Sequence, residues 1–126
     1  MIVGTGVDIS EVARIEAAVK RFGDRFLKRV FTPAEVRYCM GKPNAAERLA
    51  ARFAAKEAGM KAIGTGLRNG VTWHDVEVLR LPGQRPVLKF SGKAAEFAAR
   101  LGCKRTHLSL SHTADQAIAH VILESD

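Results

Sequence analysis

Residues 45–63, AAERLAARFAAKEAGMKAI, decide the fold. Alanine, leucine, methionine, glutamate, lysine and arginine all favour helix, and Leu49, Phe53, Met60 and Ile63 recur along one face. The stretch therefore predicts the longest helix of the chain, with Gly64 as its stop. Beyond it the period shortens from 3.6 to 2. Val76 and Val78 alternate with Glu77, Leu79 and Leu81, which predicts a strand over 73–81. Residues 82–86, PGQRP, read as a turn, and 87–90 as the partner strand. Ser91 starts a helix through Leu101 that Gly102 ends, and two strands, 106–111 and 117–124, complete the pattern.

On the other side of the long helix, residues 2–8 read as a short strand whose Gly4 and Gly6 admit close backbone approach. Ser10 is placed to N-cap a helix running to Phe22, with Val12, Ile15, Val19 and Phe22 as the buried stripe. Gly23 ends it. Thr32, Pro33 and Glu35 give the next helix a capping box with proline at its first position, and Val36 can staple onto Phe31. That helix stops near Gly41. Helices segregated from antiparallel strands predict an α+β fold, an antiparallel sheet packed against a long helix and shorter ones. At 126 residues, 1–126 reads as a single domain.

Composition narrows the function classes. A hydrophobic content of 47% supports a packed core and argues against general disorder. No apolar run is long enough to span a bilayer, and the N-terminus lacks the basic segment of a signal peptide. Cys39 and Cys103 are too few for a disulfide framework and suit reduced thiols in the cytoplasm. The net charge of +7 favours polyanionic partners. Its cations crowd around the first helices, and the scarcity of aromatics argues against a single-strand stacking surface. A small basic nucleic-acid-binding module remains the rival reading, and a merely soluble basic surface the plainest one.

Three side chains carry the chemistry. Asp8 closes the first strand, while Glu57 and Lys61, four apart, project from one side of the long helix. Taken singly, these are a turn residue and a surface ion pair worth about 0.3–0.5 kcal/mol. Taken together, two carboxylates on separate elements suit a hard cation, and the lysine suits an anionic substrate. Gly64-Thr65-Gly66 follows a helix C-terminus, whose dipole repels anions, so it is no dipole-based phosphate cradle. Ser111-His112 lacks the strained elbow of a serine hydrolase, and Ser91-Gly92-Lys93 lacks the frame of a P-loop. His74 and His120, with no visible partner, read as structural.

Gly6-Val7-Asp8, then Phe53-x-x-Lys56-Glu57-Ala58-x-x-Lys61, then Gly64-Thr65-Gly66 and Ser111-His112-Thr113, together resemble the 4′-phosphopantetheinyl transferases, of the short bacterial holo-acyl-carrier-protein synthase type. The resemblance implies transfer of 4′-phosphopantetheine from coenzyme A to a serine of apo acyl carrier protein in fatty acid biosynthesis, with adenosine 3′,5′-bisphosphate leaving. It implies that Asp8, Glu57 and Lys61 are catalytic, and that Asp8 and Glu57 hold Mg²⁺, with Mn²⁺ as the alternative. Coenzyme A would contact Arg52, Lys61, Gly64, Thr65, Gly66, Pro86, His112 and Thr113. Carrier protein would dock on Arg14, Arg21, Arg25 and Lys28. It further implies a cytoplasmic homotrimer with interfacial active sites and neither nucleic acid nor membrane as partner. A catalytically silent relative that keeps the fold is a third reading, and the identity of the general base stays open. Gly59 departs from the family pattern. It costs the helix about 1 kcal/mol relative to alanine and marks either tight packing or a loosened helix.

Overall fold

The computed structural model describes residues 1–126. Five strands and five helices follow in the order β1 (Ile2–Glu11), α1 (Val12–Phe22), α2 (Asp24–Val30), α3 (Pro33–Met40), α4 (Ala45–Ile63), β2 (Val76–Leu79), β3 (Val87–Phe90), α5 (Gly92–Arg100), β4 (Arg105–His112) and β5 (Gln116–Glu124). A 3-10 turn over Trp73–Asp75 leads into β2. The strands form two antiparallel sheets, one in the order β1-β5-β4 and one of β2 and β3.

Helix α4 is the axis of the molecule, and twelve of its nineteen residues are buried. The expected single stripe is therefore too narrow a description. The three-stranded sheet covers one side, β2 a second, and α1 and α3 a third. The alanines make this enclosure sterically feasible. Gly4 and Gly6 lie against the helix so closely that a β-carbon at either would run into the carbonyl of Ala62 or Ala58. Gly59 meets the opposite wall, where a β-carbon would stand 2.9 Å from Val76 and Leu88 methyls. Tight packing, not a loosened helix, accounts for it.

One core cluster joins Met60, Val76, Val78, Leu88, Val121 and Leu123 around the second half of α4. Another joins Val12, Ile15, Leu27, Val30, Phe31 and Leu49 around the first half. Trp73 touches both clusters and lies over Phe53, ring centroids 4.9 Å apart. Burial of side chains such as Phe31 or Leu49 stabilises the fold by about 1.5–3 kcal/mol each.

Several local expectations need correction. β1 runs on to Glu11 because its ladder with β5 continues to the Glu11–Gln116 pair, so Ser10 is a buried strand residue and caps nothing. Asp8 accordingly lies within the strand and not at its end. Phe22 is 47% exposed and outside the buried stripe. Residues 24–30, for which the sequence suggested no element, form α2, anchored by buried Leu27 and Val30. The strand expected over 73–81 shortens to 76–79, because the Asp75 carboxylate accepts from Thr72 N and winds the entry into a turn. His74 has a partner after all, the Lys28 carbonyl at 2.6 Å.

The capping box of α3 is present, with Thr32 N donating to Glu35 Oε1 at 2.8 Å and Glu35 N to Thr32 Oγ1 at 3.3 Å. Glu35 does more than cap. Lys56, wholly buried, places its ammonium 2.7 Å from Glu35 Oε1 and donates to Val76 O at 2.7 Å and Trp73 O at 3.0 Å. Val78 N donates to Glu35 Oε2 at 2.8 Å. Burial pushes the Lys56 pKa down, and the Glu35 charge opposes that shift. The pair ties α3, α4 and β2 together with every ammonium proton used.

Candidate active site

β1 brings Asp8 beside α4, where Glu57 and Lys61 project from successive turns. Glu57 and Lys61 do not form the plain surface ion pair that their spacing allows. Lys61 Nζ instead bridges elements, donating to Asp8 Oδ1 at 2.8 Å and to Val7 O at 3.2 Å. Asp8 is largely enclosed, its side chain 11% exposed, whereas that of Lys61 is 55% exposed. Hydrogen bonding to Asp8, above all, holds the Lys61 pKa above its usual value.

Glu57 has no such relief. Burial first, then a hydrogen bond to Asp8 and repulsion from its charge, push the Glu57 carboxyl up to about 7, with Lys61 and Arg14 only partly opposing. Two carboxylates close enough to share a proton form a site that gains from added positive charge. Both line a cavity of about 180 Å³ together with Ser10, Arg14, Phe26 and Phe53. Two carboxylates meet there, and phosphate oxygens and water would complete the oxygen shell that Mg²⁺ takes. The chain itself would supply two carboxylate ligands to such an ion, with no third His, Cys, Asp or Glu gathered beside them.

The remaining expected contacts fall elsewhere. Arg52, Pro86 and His112 meet at a separate cavity of about 340 Å³, joined there by Arg48, Arg80 and Arg85. His112 Nδ1 lies 3.1 Å from Glu47 Oε1. Thr113 lies just past β4, where its hydroxyl accepts from Asp115 N and Gln116 N and shapes the turn to β5. Gly64 ends α4 in a left-handed conformation, and Thr65, buried, donates to Gly66 O at 2.9 Å. Arg52 and Glu57 are five residues apart, hence about 140° apart around the helix. Within one chain, then, the carboxylates and the arginine cavity face different ways. Arg14 borders the carboxylates, and Arg21, Arg25 and Lys28 continue outward along α1 and α2, all exposed.

Sequence reasoning missed Arg48, Arg80 and Arg85. Arg48 and Arg52 at i,i+4 on a helix were a readable signal of a shared cationic face. Arg80, just before the 82–86 turn, and Arg85, within it, carried none, since their approach to α4 depends on how β2 and β3 pack.

Comparisons with known proteins show the family. The family model for the 4′-phosphopantetheinyl transferase superfamily matches residues 4–121. A holo-[acyl-carrier-protein] synthase of Koribacter versatilis is 66% identical over 124 residues, 98% of this chain and 99% of that protein. The crystal structure of holo-[acyl-carrier-protein] synthase from Neisseria meningitidis superposes with a TM-score of 0.88 at 34% identity, covering 99% of this chain and all of that one. A Bacillus anthracis holo-(acyl-carrier-protein) synthase in complex with CoA (3′,5′-ADP) gives 0.81 at 38% identity, covering 100% and 99% of the two chains. The match over residues 4–121, at such identity and coverage, means that this chain belongs to the 4′-phosphopantetheinyl transferase superfamily.

Proposed function

We propose that this chain transfers 4′-phosphopantetheine from coenzyme A to a serine hydroxyl of apo acyl carrier protein, releasing adenosine 3′,5′-bisphosphate, in fatty acid biosynthesis. The observation that carries the reading is the meeting of Asp8 and Glu57 at one cavity bordered by Arg14, with Lys61 hydrogen-bonded to Asp8. Both substrates are anionic, so the obstacle is charge. Mg²⁺ held by Asp8 and Glu57 would neutralise the pyrophosphate and the charge growing on the leaving group. Lys61, with over half its side chain exposed, would turn from Asp8 to a pyrophosphate oxygen. The serine oxygen bonds to the phosphorus that carries pantetheine, the bridging P–O bond breaks, and its electrons leave with the nucleotide. Glu57, directly or through a bound water, is the nearest carboxylate to take the serine proton.

The active form is a trimer with shared sites, each copy a single domain. Val7 and Ile9 on β1 and Ile118 on β5 are 51%, 60% and 42% exposed on the sheet face turned away from α4, an apolar surface that self-association would cover. An extended ligand reaching both carboxylates and an arginine cavity then draws them from two copies. Acidic carrier protein docks on the α1 and α2 cations beside the carboxylates. Arg14→Glu should raise KM for carrier protein several-fold, leaving KM for coenzyme A unaltered. Mass measurement of apo carrier protein after incubation with coenzyme A and Mg²⁺ tests the reading, with sedimentation of the same sample testing the trimer. A mass gain of one phosphopantetheine is expected. An unmodified carrier, with tight salt-sensitive binding of any DNA duplex, would favour the nucleic-acid reading.

A further inference from the structure

Three cations converge on Tyr38 of α3, and none of them forms an ion pair with Glu35, the carboxylate that shares a cavity with Tyr38 and Arg52. The Arg52 guanidinium stands 4.5 Å from the ring centroid, Lys42 Nζ 5.1 Å and Arg48 5.7 Å. The Tyr38 hydroxyl accepts from Arg48 Nη1 at 3.1 Å, and Arg48 Nε donates to Asn44 Oδ1 at 2.9 Å. Arg52 is 4% exposed and opens only onto the cavities it lines. The carboxylates on adjoining elements are engaged elsewhere, Glu35 by Lys56 and Glu47 by His112. A buried guanidinium without a counter-ion is costly, and such a cost is offset when an anion completes the site.

We propose that Tyr38 is a positioning residue. Its π face and hydroxyl hold Arg48 and Arg52 side by side against their mutual repulsion, so that a dianionic phosphate monoester meets a preorganised pair of guanidinium groups. On the transfer reading above, this monoester is the 3′-phosphate of coenzyme A, the one phosphate of that molecule outside the pyrophosphate. Tyr38 thus sets the preference for 3′-phosphorylated over 3′-dephosphorylated substrate without touching either.

The test compares wild type, Tyr38→Phe and Tyr38→Leu with coenzyme A and 3′-dephospho-coenzyme A, and titrates adenosine 3′,5′-bisphosphate and adenosine 5′-monophosphate calorimetrically. Loss of the ring should cut the ratio of kcat/KM for the two substrates by about tenfold, through KM for coenzyme A, as expected for stacked cations. Tyr38→Phe keeps the ring and loses only the hydroxyl bond, so about threefold is expected. This near-isosteric variant keeps the comparison readable should Tyr38→Leu fail to fold. Equal losses with both substrates would reduce Tyr38 to packing, and an unchanged ratio would remove it from the site; either overturns the proposal. If wild type turns over neither substrate, the transfer reading fails, and the calorimetry decides. A wild-type preference for the bisphosphate that Tyr38→Leu loses sustains the proposal; equal preference in both proteins overturns it.

Discussion

Lys56 and Glu57 are neighbours in sequence, about 100° apart around α4, and their charges meet opposite fates. Lys56 points to β2 and α3, is fully buried, and spends its three protons on Glu35 and two carbonyls. Glu35 in turn spends both oxygens. Glu57 points to β1 and meets another carboxylate, with its pKa pushed up to about 7. One region is electrostatically closed and the other is left incomplete. A closed buried pair fixes geometry, whereas an incomplete one waits for a proton, a cation or a phosphate. The contrast separates framework from chemistry one residue apart.

The largest expected effects dissociate these two roles. Asp8→Ala and Glu57→Gln should each cost transfer at least about 10³-fold, roughly 4 kcal/mol of barrier, while the circular dichroism spectrum stays that of wild type. Lys56→Met should do the reverse. It strands the Glu35 charge in the core and should lower unfolding free energy by about 3–5 kcal/mol in urea titration. At low temperature, the fraction still folded should keep its kcat. Adding Glu35→Gln should recover part of the loss, because no unpaired charge then remains. A Lys56→Met protein that is stable but inactive would break the comparison, and so would an unfolded Asp8→Ala.

Of this contrast, only one half was legible in the sequence. Glu57 and Lys61 announced themselves by helical spacing, and Asp8 by a motif match. The rest needed the fold. Glu35 carried a complete local explanation as the third residue of a capping box, so nothing prompted a search for a partner on α4. Helix α2 was overlooked because seven residues cannot nucleate a helix alone. Its existence rests on burying Leu27 and Val30 against other elements. Ser10 looked like a cap because its strand partner, Ala117, is remote in sequence. Local signals marked α3, α4 and α5 to within a residue or two.

A smaller, pH-dependent effect sharpens the picture at Glu57. Its folded pKa, about 7, lies above the ordinary 4.5. The native state therefore binds this proton more tightly than the unfolded chain does. Stability from this group is complete below about pH 4.5 and is lost as pH rises to 7. Glutamine is neutral throughout. Glu57→Gln should thus match wild type near pH 5 and melt a few degrees higher at pH 8, by about 3–6 °C. Mg²⁺ at pH 8 should raise the wild-type melting temperature and leave that of the variant nearly unmoved. Equal melting temperatures at pH 8 would mean that Glu57 is not held against Asp8.

The smallest effect tests how firmly the closed side is packed. Gly59 lies one turn beyond Lys56 on the flank of α4 that faces Val76 and Leu88. Alanine there gains about 1 kcal/mol of helix propensity. It also introduces a methyl 2.9 Å from two packed side chains, and overpacking costs about 1–3 kcal/mol. The Leu88 methyl ends a flexible side chain and can move, but the Val76 methyl sits on a branched stub of β2, directly against α4. The second term should win, leaving Gly59→Ala less stable by about 1 kcal/mol with transfer intact. A more stable Gly59→Ala would show slack in this wall. Lys56 would then be held by its three acceptors alone, not by a rigid spacing between α4 and β2.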